Sequence, residues 1–154
     1  MPSEVTRRLA ELGLVLPPAA RPVGSYSPAV AAGPHVWVSG QCVVHDGVAV
    51  NPGTVDEELD IPTAQRLARQ ATLQGLSAIA ATVGGLDRIQ RIARVGVFVA
   101  SSPGFVRQHE VANGASDLIV ELFPDESRPA RVSVGVAALP LNAPVEVELL
   151  AVRA

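Results

Sequence analysis

Two stretches near the C-terminus alternate aliphatic residues with polar or small ones, and this alternation constrains the fold more than any other feature. They span residues 131–136 and 145–150. A period of two residues turns successive side chains to opposite faces of a strand. The pattern predicts a C-terminal β-hairpin whose valines cover a core. Its opposite, polar face would then carry Arg131, Ser133, Glu146 and Glu148.

Two longer segments have helical periodicity. The first begins at Asp60, with Pro62 favouring the first turn, and extends to Val83 before a pair of glycines. The second extends from Phe105 to Phe123. The inner face of the first helix is rich in small residues, which allow a helix to lie close to a sheet. That face comprises Ala64, Leu67, Ala68, Ala71, Gly75, Ile79 and Val83.

The remaining pattern completes a mixed architecture. Strands are predicted at residues 35–39 and 94–99, and a hairpin over residues 42–50 turns at residues 45–47. A short helix with Val5, Leu9 and Leu12 on one face ends at Gly13. This order of elements predicts an α+β fold in which two main helices cover one face of a mixed β-sheet.

Composition narrows the class of protein. Hydrophobic residues make up 48% of the chain and charged residues 18%, which argues against disorder, while aromatics at 3% leave an aliphatic core. A net charge of -3 gives no general attraction to nucleic acid or an anionic membrane. No uncharged apolar run is long enough to span a bilayer. The single cysteine, Cys42, is interpreted as a buried strand residue and fits a cytoplasmic location.

The polar face of the predicted hairpin allows two interpretations. It combines charges with small residues such as Gly135, an unusual combination for plain solvent contact. Such a face suits contact with another subunit that leaves polar pockets, in which charges need partners. The alternative is a surface salt bridge between Arg131 and Glu146 with no function.

Four stretches follow one another in a recognisable order. Gly24-Ser25-Tyr26-Ser27 is similar to a Gly-Pro-Tyr turn, Val36–Gln41 to a strand that ends in Ser-Gly-Gln, and Val95–Val99 to a central strand. The C-terminal part combines Pro129–Val134 with Leu139-Pro140 and Val145–Glu148. Together they resemble the RidA family, the YjgF group of reactive intermediate deaminases, over roughly residues 20–153.

This resemblance implies a chorismate-mutase-like fold and a homotrimer with one site in each cleft between subunits. It also implies hydrolysis of enamine and imine acids such as 2-aminoacrylate to a 2-keto acid and ammonia, without a metal or organic cofactor. The expected partners are a small-molecule carboxylate substrate and further copies of the chain.

The resemblance also assigns roles to residues. Arg131 would bind the substrate carboxylate through a two-pronged hydrogen bond. Glu146 would orient or deprotonate the attacking water, and Tyr26 would close the pocket. The backbone N–H near Gly40 would help to hold the carboxylate. The predicted substrate-binding set is completed by Ser39, Ser133 and Asn113.

The chain departs from the family pattern at several positions. Ser133 stands where the family usually has cysteine, and Tyr26 follows serine rather than proline. Residues 1–20 form an N-terminal helical extension of a single domain, residues 1–154, as in a longer subgroup. Asn113 is equally consistent with a polar residue on a helix surface.

Three functions stay open at this point. The first is the deaminase, and the second is a non-catalytic or regulatory module that binds a small carboxylate in the same cleft. The third is an RNA-acting translation inhibitor, against which the acidic chain and the few aromatics for base stacking argue. No metal site is predicted, because His35, His45 and His109 lack metal-ligand spacing.

Overall fold

The structure, a computed structural model, describes residues 4–123 and 128–154. Its helices are α1 (Glu4–Glu11), α2 (Ile61–Val83) and α3 (Gln108–Leu122). Its strands are β1 (Ala29–Ala32), β2 (His35–Cys42), β3 (Val44–His45), β4 (Val48–Ala49), β5 (Ile89–Ala100), β6 (Ala130–Val136) and β7 (Val145–Arg153). Short 3-10 turns occupy Leu86–Arg88 and Pro140–Asn142.

A five-stranded mixed sheet with the order β1-β2-β7-β5-β6 forms one layer of the molecule. Helices α2 and α3 pack side by side against one face of it, and the buried aliphatic residues between the layers form the core. Strands β3 and β4 make a separate small hairpin. The predicted α+β fold, with two main helices on one face of a mixed sheet, is confirmed.

Helix α2 begins and ends where local chemistry dictates. The Asp60 carboxylate accepts a hydrogen bond from the Thr63 backbone N–H at 2.8 Å, which caps the helix. Hydrogen bonds from the Thr63 side chain and backbone lower the pKa of Asp60. Gly84 ends the helix in the left-handed conformation, at φ 85°. At Gly75 an added Cβ would lie 2.8 Å from Leu149 Cδ1. This glycine therefore brings α2 close to β7.

Helix α3 is fixed by its contact with α2. A side chain at Gly114 would collide with the backbone carbonyl of Gln65, and the Gln65 side-chain amide donates to the Glu110 carbonyl at 2.8 Å. The close approach sets the position of the α3 surface that carries Asn113 and Ser116. This surface contributes to the candidate site.

The predicted C-terminal hairpin is wrong. Strand β6 pairs in parallel with β5, and β7 pairs antiparallel with β5 and with β2, so that β5 separates β6 from β7. Neighbouring strands lie about 4.8 Å apart, so the connection must cross roughly 10 Å. Residues 137–144, which contain a 3-10 turn, are long enough to do so.

The predicted common polar face is wrong for the same reason. Arg131 pairs with buried Val95 and therefore faces the helices, whereas Glu146 pairs with Phe98 on the other face. In β7 the aliphatic residues do cover the core as predicted. In β6 they do not, since Val132 and Val134 are 39% and 40% exposed on the face away from the helices.

Other boundaries differ locally. Helix α3 starts at Gln108 rather than Phe105, which is buried in the preceding turn, and Leu12 is 42% exposed. Strand β1 is missing from the sequence prediction. The predicted N-terminal cap at Ser3 and the predicted helix end at residues 124–127 lie outside the described residues. None of the described helices is long and apolar enough to cross a membrane.

Candidate functional site

Two clefts contain all but one of the site residues predicted from the sequence. The larger, with a volume of about 660 Å³, is the Glu146 cleft; Tyr26, Ser39 and Gly40 also line it. The smaller, of about 310 Å³, is the Arg131 cleft, and Asn113 also lines it. The two clefts share no residue. One chain therefore presents two separate parts of the predicted site.

The position of Glu146 depends on an irregularity in β2. The register between β2 and β7 shifts between Val38 and Gln41, and beyond this bulge Cys42 lies opposite Glu146. The Glu146 side chain occupies the space where Gly40 has no Cβ; any larger residue there would collide with the carboxylate. Gly40, within β2, thus makes room for Glu146 in the cleft.

Cys42 lies on strand β2 as predicted, but it is only partly buried and it lines this cleft. Desolvation, together with the charge and the hydrogen bonding of Glu146, raises the pKa of the Cys42 thiol to about 12. At neutral pH the group is therefore a thiol rather than a thiolate. It serves as a hydrogen-bond donor to the Glu146 carboxylate.

The contact between Cys42 and Glu146 predicts a change in thiol reactivity. We expect iodoacetamide to alkylate the wild-type protein slowly at pH 9, because the raised pKa leaves little thiolate. Glu146→Gln removes the negative charge, so the pKa falls and alkylation becomes faster, although burial still holds it above the ordinary value. Mass spectrometry measures the rate of alkylation directly, because the chain has a single cysteine.

The control for this measurement is Glu148→Gln, two residues further along β7 on the same face. Glu148 pairs with Arg94 rather than with Cys42. Its variant should alkylate at the wild-type rate. Equal rates for the wild type and Glu146→Gln would contradict the described contact.

The wall near Tyr26 is built by hydrogen bonds to the backbone. Ser39 Oγ donates to the Ser27 carbonyl at 2.6 Å, and the Ser39 N–H donates to the Pro28 carbonyl at 2.9 Å. The Ser39 hydroxyl therefore holds the turn that carries Tyr26, which is 51% exposed. On the α2 side, Gln74 lines the same cleft, and its buried Oε1 has no hydrogen-bond donor among the described residues.

The Arg131 cleft holds its guanidinium from one side. Arg131 Nη1 donates to Asn113 Oδ1 at 2.7 Å and to Ser116 Oγ at 3.0 Å. Both of these bonds use one nitrogen, which leaves Nε and Nη2 for a two-pronged contact with a carboxylate. Ser133 lies two residues along β6 on the same face, is partly buried opposite Val97, and lines neither cleft.

Several residues of the two clefts escaped the sequence analysis. The signal for Ser116 was present, because it follows Asn113 by three residues and so shares its helix face. No sequence pattern identifies Cys42 or Gln74 as a cleft residue. The bulge in β2 places Cys42 in the cleft, and the packing of α2 against the sheet places Gln74 there. Among residues 4–123 and 128–154, no group of three His, Cys, Asp or Glu side chains could hold a metal ion.

Comparisons with known proteins agree on one family. The family model described as Endoribonuclease L-PSP matches residues 18–153. The chain is 44% identical to Protein TCP17 of Trypanosoma cruzi, over 95% of this chain and 92% of the relative. It is 31% identical to the 2-iminobutanoate/2-iminopropanoate deaminase of Dermatophagoides farinae, with coverage of 88% and 91%.

The solved structures show the same relationship. The crystal structure of Atu1372 from Agrobacterium tumefaciens superimposes with a TM-score of 0.88 at 38% identity, over 98% of this chain and 93% of that one. The match extends over both clefts and over helix α1. The chain belongs to the Endoribonuclease L-PSP family, the RidA-like family that its four motifs resemble.

Proposed function

We propose that the protein is a hydrolytic deaminase that converts reactive enamine and imine acids of the 2-aminoacrylate type into 2-keto acids and ammonia. The observation that carries the proposal is the Glu146 carboxylate, which lies beside Cys42 and over Gly40 in the cleft that Tyr26 also lines. A base in an accessible cleft suits activation of water. The relative from Dermatophagoides farinae is a 2-iminobutanoate/2-iminopropanoate deaminase by name, which supports the same reaction class.

The reaction needs little from the protein. The enamine takes a proton on carbon to become the imine, and Glu146 accepts a proton from water as the water oxygen attacks the imine carbon. That proton then passes to the amino nitrogen of the tetrahedral intermediate. Glu146 next moves the hydroxyl proton to the same nitrogen, and ammonia leaves as the carbon–oxygen double bond forms, so water and imino acid yield keto acid and ammonia. An imine is electrophilic, and positioning with one activated water suffices.

Arg131 is proposed to hold the substrate carboxylate from a neighbouring subunit. Within one chain Arg131 and Glu146 lie on opposite faces of the sheet and in separate clefts. A second copy that brings its Arg131 cleft against the Glu146 cleft would complete the set. Asn113 and Ser116 would then orient the guanidinium, and the N–H groups near Gly40 would share the carboxylate.

The assembly is proposed to be a homotrimer. The sheet face away from the helices exposes Trp37 at 54%, together with Val132 and Val134. We expect light scattering at micromolar concentration to give about three times the chain mass of 16.0 kDa. Val134→Asp should lower that mass, because it puts a charge into the apolar contact.

Val106→Asp is the matched control for the assembly. Val106 is 78% exposed in the segment between β5 and α3, away from this face, so its variant should keep the wild-type mass. A wild-type particle with the mass of one chain would rule out both the trimer and a site shared between subunits.

The activity itself is tested with 2-aminoacrylate generated in situ, by following the appearance of pyruvate. The proposal requires that the protein accelerates pyruvate formation beyond the buffer rate. No acceleration at micromolar protein would exclude it. The expected location is the cytoplasm, which cell fractionation tests.

A second candidate is a non-catalytic module that binds small carboxylates. The observation that favours it is Arg131, which Asn113 and Ser116 pre-orient in a cleft that is separate from Glu146. Calorimetry with 2-oxobutanoate distinguishes the two functions: binding that depends on Arg131, together with no turnover, would identify the binding module.

A further inference from the structure

The Glu146 cleft is larger than the smallest substrates of the proposed reaction require. Its volume of about 660 Å³ lies within the range of about 300–1,000 Å³ that encloses drug-sized ligands. The imine of pyruvate is barely larger than pyruvate itself. In the single chain, a substrate that reaches Glu146 with its imine carbon leaves room in this cleft both for the neighbouring copy that brings Arg131 and for a longer substrate side chain.

The additional wall comes from the N-terminal segment before β1. Ala20, Arg21, Pro22 and Val23 all line the cleft. Pro22 follows Arg21 directly, which restricts the Arg21 backbone to extended conformations and limits its entropy before a ligand binds. The backbone that carries Arg21 therefore loses little conformational entropy when the side chain binds a ligand.

Arg21 is the one cation among the described residues that line this cleft, and Glu146 is the one anion. None of the ion pairs within residues 4–123 and 128–154 involves Arg21. Its guanidinium thus has five N–H donors available to a ligand. The Glu146 charge alone would repel a ligand with two negative groups, and Arg21 offsets that repulsion.

An apolar wall accompanies these two charges. Val23 is 94% exposed and Leu141 is 59% exposed in the single chain, and both line the cleft with Pro140. Leu141 has a positive φ of 58°, a conformation that a leucine rarely adopts without compensation from its surroundings. An apolar surface of this kind suits the methylene groups of a substrate side chain.

We propose that Arg21 binds a second anionic group at the far end of the substrate, so that the favoured substrates are imino acids whose side chain ends in a carboxylate. The inference rests on the proposed deaminase function and names its substrate class. Arg131 of a neighbouring copy binds the carboxylate next to the imine, Glu146 activates the water, and Arg21 binds the distal carboxylate. The N-terminal segment thereby acts as a specificity element.

The test compares imines that differ only in the distal group. The imines of glutamate, glutamine and alanine are made in situ with an amino-acid oxidase, and keto acid formation gives kcat/KM for each. We expect the wild type to favour the glutamate imine over the glutamine imine by about tenfold or more, the equivalent of one charge-assisted contact. Arg21→Gln should bring that ratio to about one and lower kcat/KM far more for the glutamate imine than for the alanine imine.

Arg66→Gln serves as the matched control. Arg66 is an exposed arginine of α2 that bonds Thr63, away from the cleft, so its variant should keep the wild-type ratio. Arg21→Lys keeps the positive charge but loses the two-pronged geometry of the guanidinium, so it should retain part of the preference for the glutamate imine. A ratio near one in the wild type, or a ratio unchanged in Arg21→Gln, would overturn the inference.

Calorimetry separates this inference from the deaminase proposal. We expect 2-oxoglutarate to bind the wild type about tenfold more tightly than 2-oxobutanoate, and Arg21→Gln to lose that difference. If no imine is turned over but this preference persists and depends on Arg21, the deaminase proposal fails and the anion site stands. If turnover occurs without the preference, the anion site fails alone.

Discussion

Arg131→Ala is expected to lower kcat/KM for the imine of pyruvate by about 10²–10³-fold, because the substrate carboxylate loses a two-pronged, charge-assisted contact worth about 3–4 kcal/mol once it is enclosed between subunits. The loss should appear mainly in KM if the contact is equally strong in the ground state. Arg131→Lys should recover little, since a point charge cannot reproduce the fork. Steady-state kinetics measure each value.

A control at another arginine tests the specificity of this effect. Arg153, at the exposed end of β7, lines neither cleft. Arg153→Ala should therefore behave as the wild type. Wild-type kinetics for Arg131→Ala would remove Arg131 from the site.

Mixing variants tests which chain supplies Arg131. Neither Arg131→Ala nor Glu146→Gln should be active alone. In a trimer that combines Arg131 of one copy with Glu146 of the next, random exchange of the two variants leaves about a quarter of the sites with both residues intact. A mixture that exchanges subunits should thus regain about a quarter of the wild-type activity. No recovery after demonstrated exchange would mean that one chain supplies both residues.

Glu146→Gln is expected to lower kcat by about 10²–10⁴-fold, the usual contribution of a positioned general base. Glutamine keeps the size of the side chain and can still accept a hydrogen bond from Cys42, but it cannot take a proton from water. KM should change little, because the substrate carboxylate is held elsewhere. Single-turnover kinetics with the imine of pyruvate measure the chemical step directly.

Glu148→Gln is again the informative comparison, since Glu148 lies on the same face of β7 and is paired with Arg94. Its variant should retain the wild-type kcat. A loss of similar size in both variants would indicate a general disturbance of this sheet face. An unchanged kcat in Glu146→Gln would assign the base to another group.

The local elements were predictable from the sequence because their causes are local. Asp60 and Gly84 mark both ends of α2, and the alternating valines identify β5 and β7. The pairing of the strands was not predictable in this way. Nothing within residues 130–150 indicates that β6 pairs with β5, because that choice depends on the route of α3 between them.

The same distinction applies to the candidate site. Arg131 and Glu146 were identified from motifs, but the face of the sheet on which each lies was not. Alternation along a strand shows that neighbouring side chains point to opposite faces, but it does not show which face the helices cover. In β6 the polar set faces α3, where Asn113 and Ser116 accept hydrogen bonds from Arg131 Nη1. Cys42 reaches the cleft because of a bulge in β2, and the aliphatic pattern of the neighbouring residues does not predict that bulge.

The position of β6 as an edge strand of the sheet affects the tendency of the protein to aggregate in the cell. Strand β6 ends the five-stranded order, and its seven residues contain no proline and no lysine. An exposed edge strand of this kind, next to exposed valines, has unpaired backbone N–H and C=O groups to which a strand of another chain can add. Newly made or separated chains are therefore at risk of aggregation. Rapid self-association would protect solubility as much as it would complete a catalytic cleft.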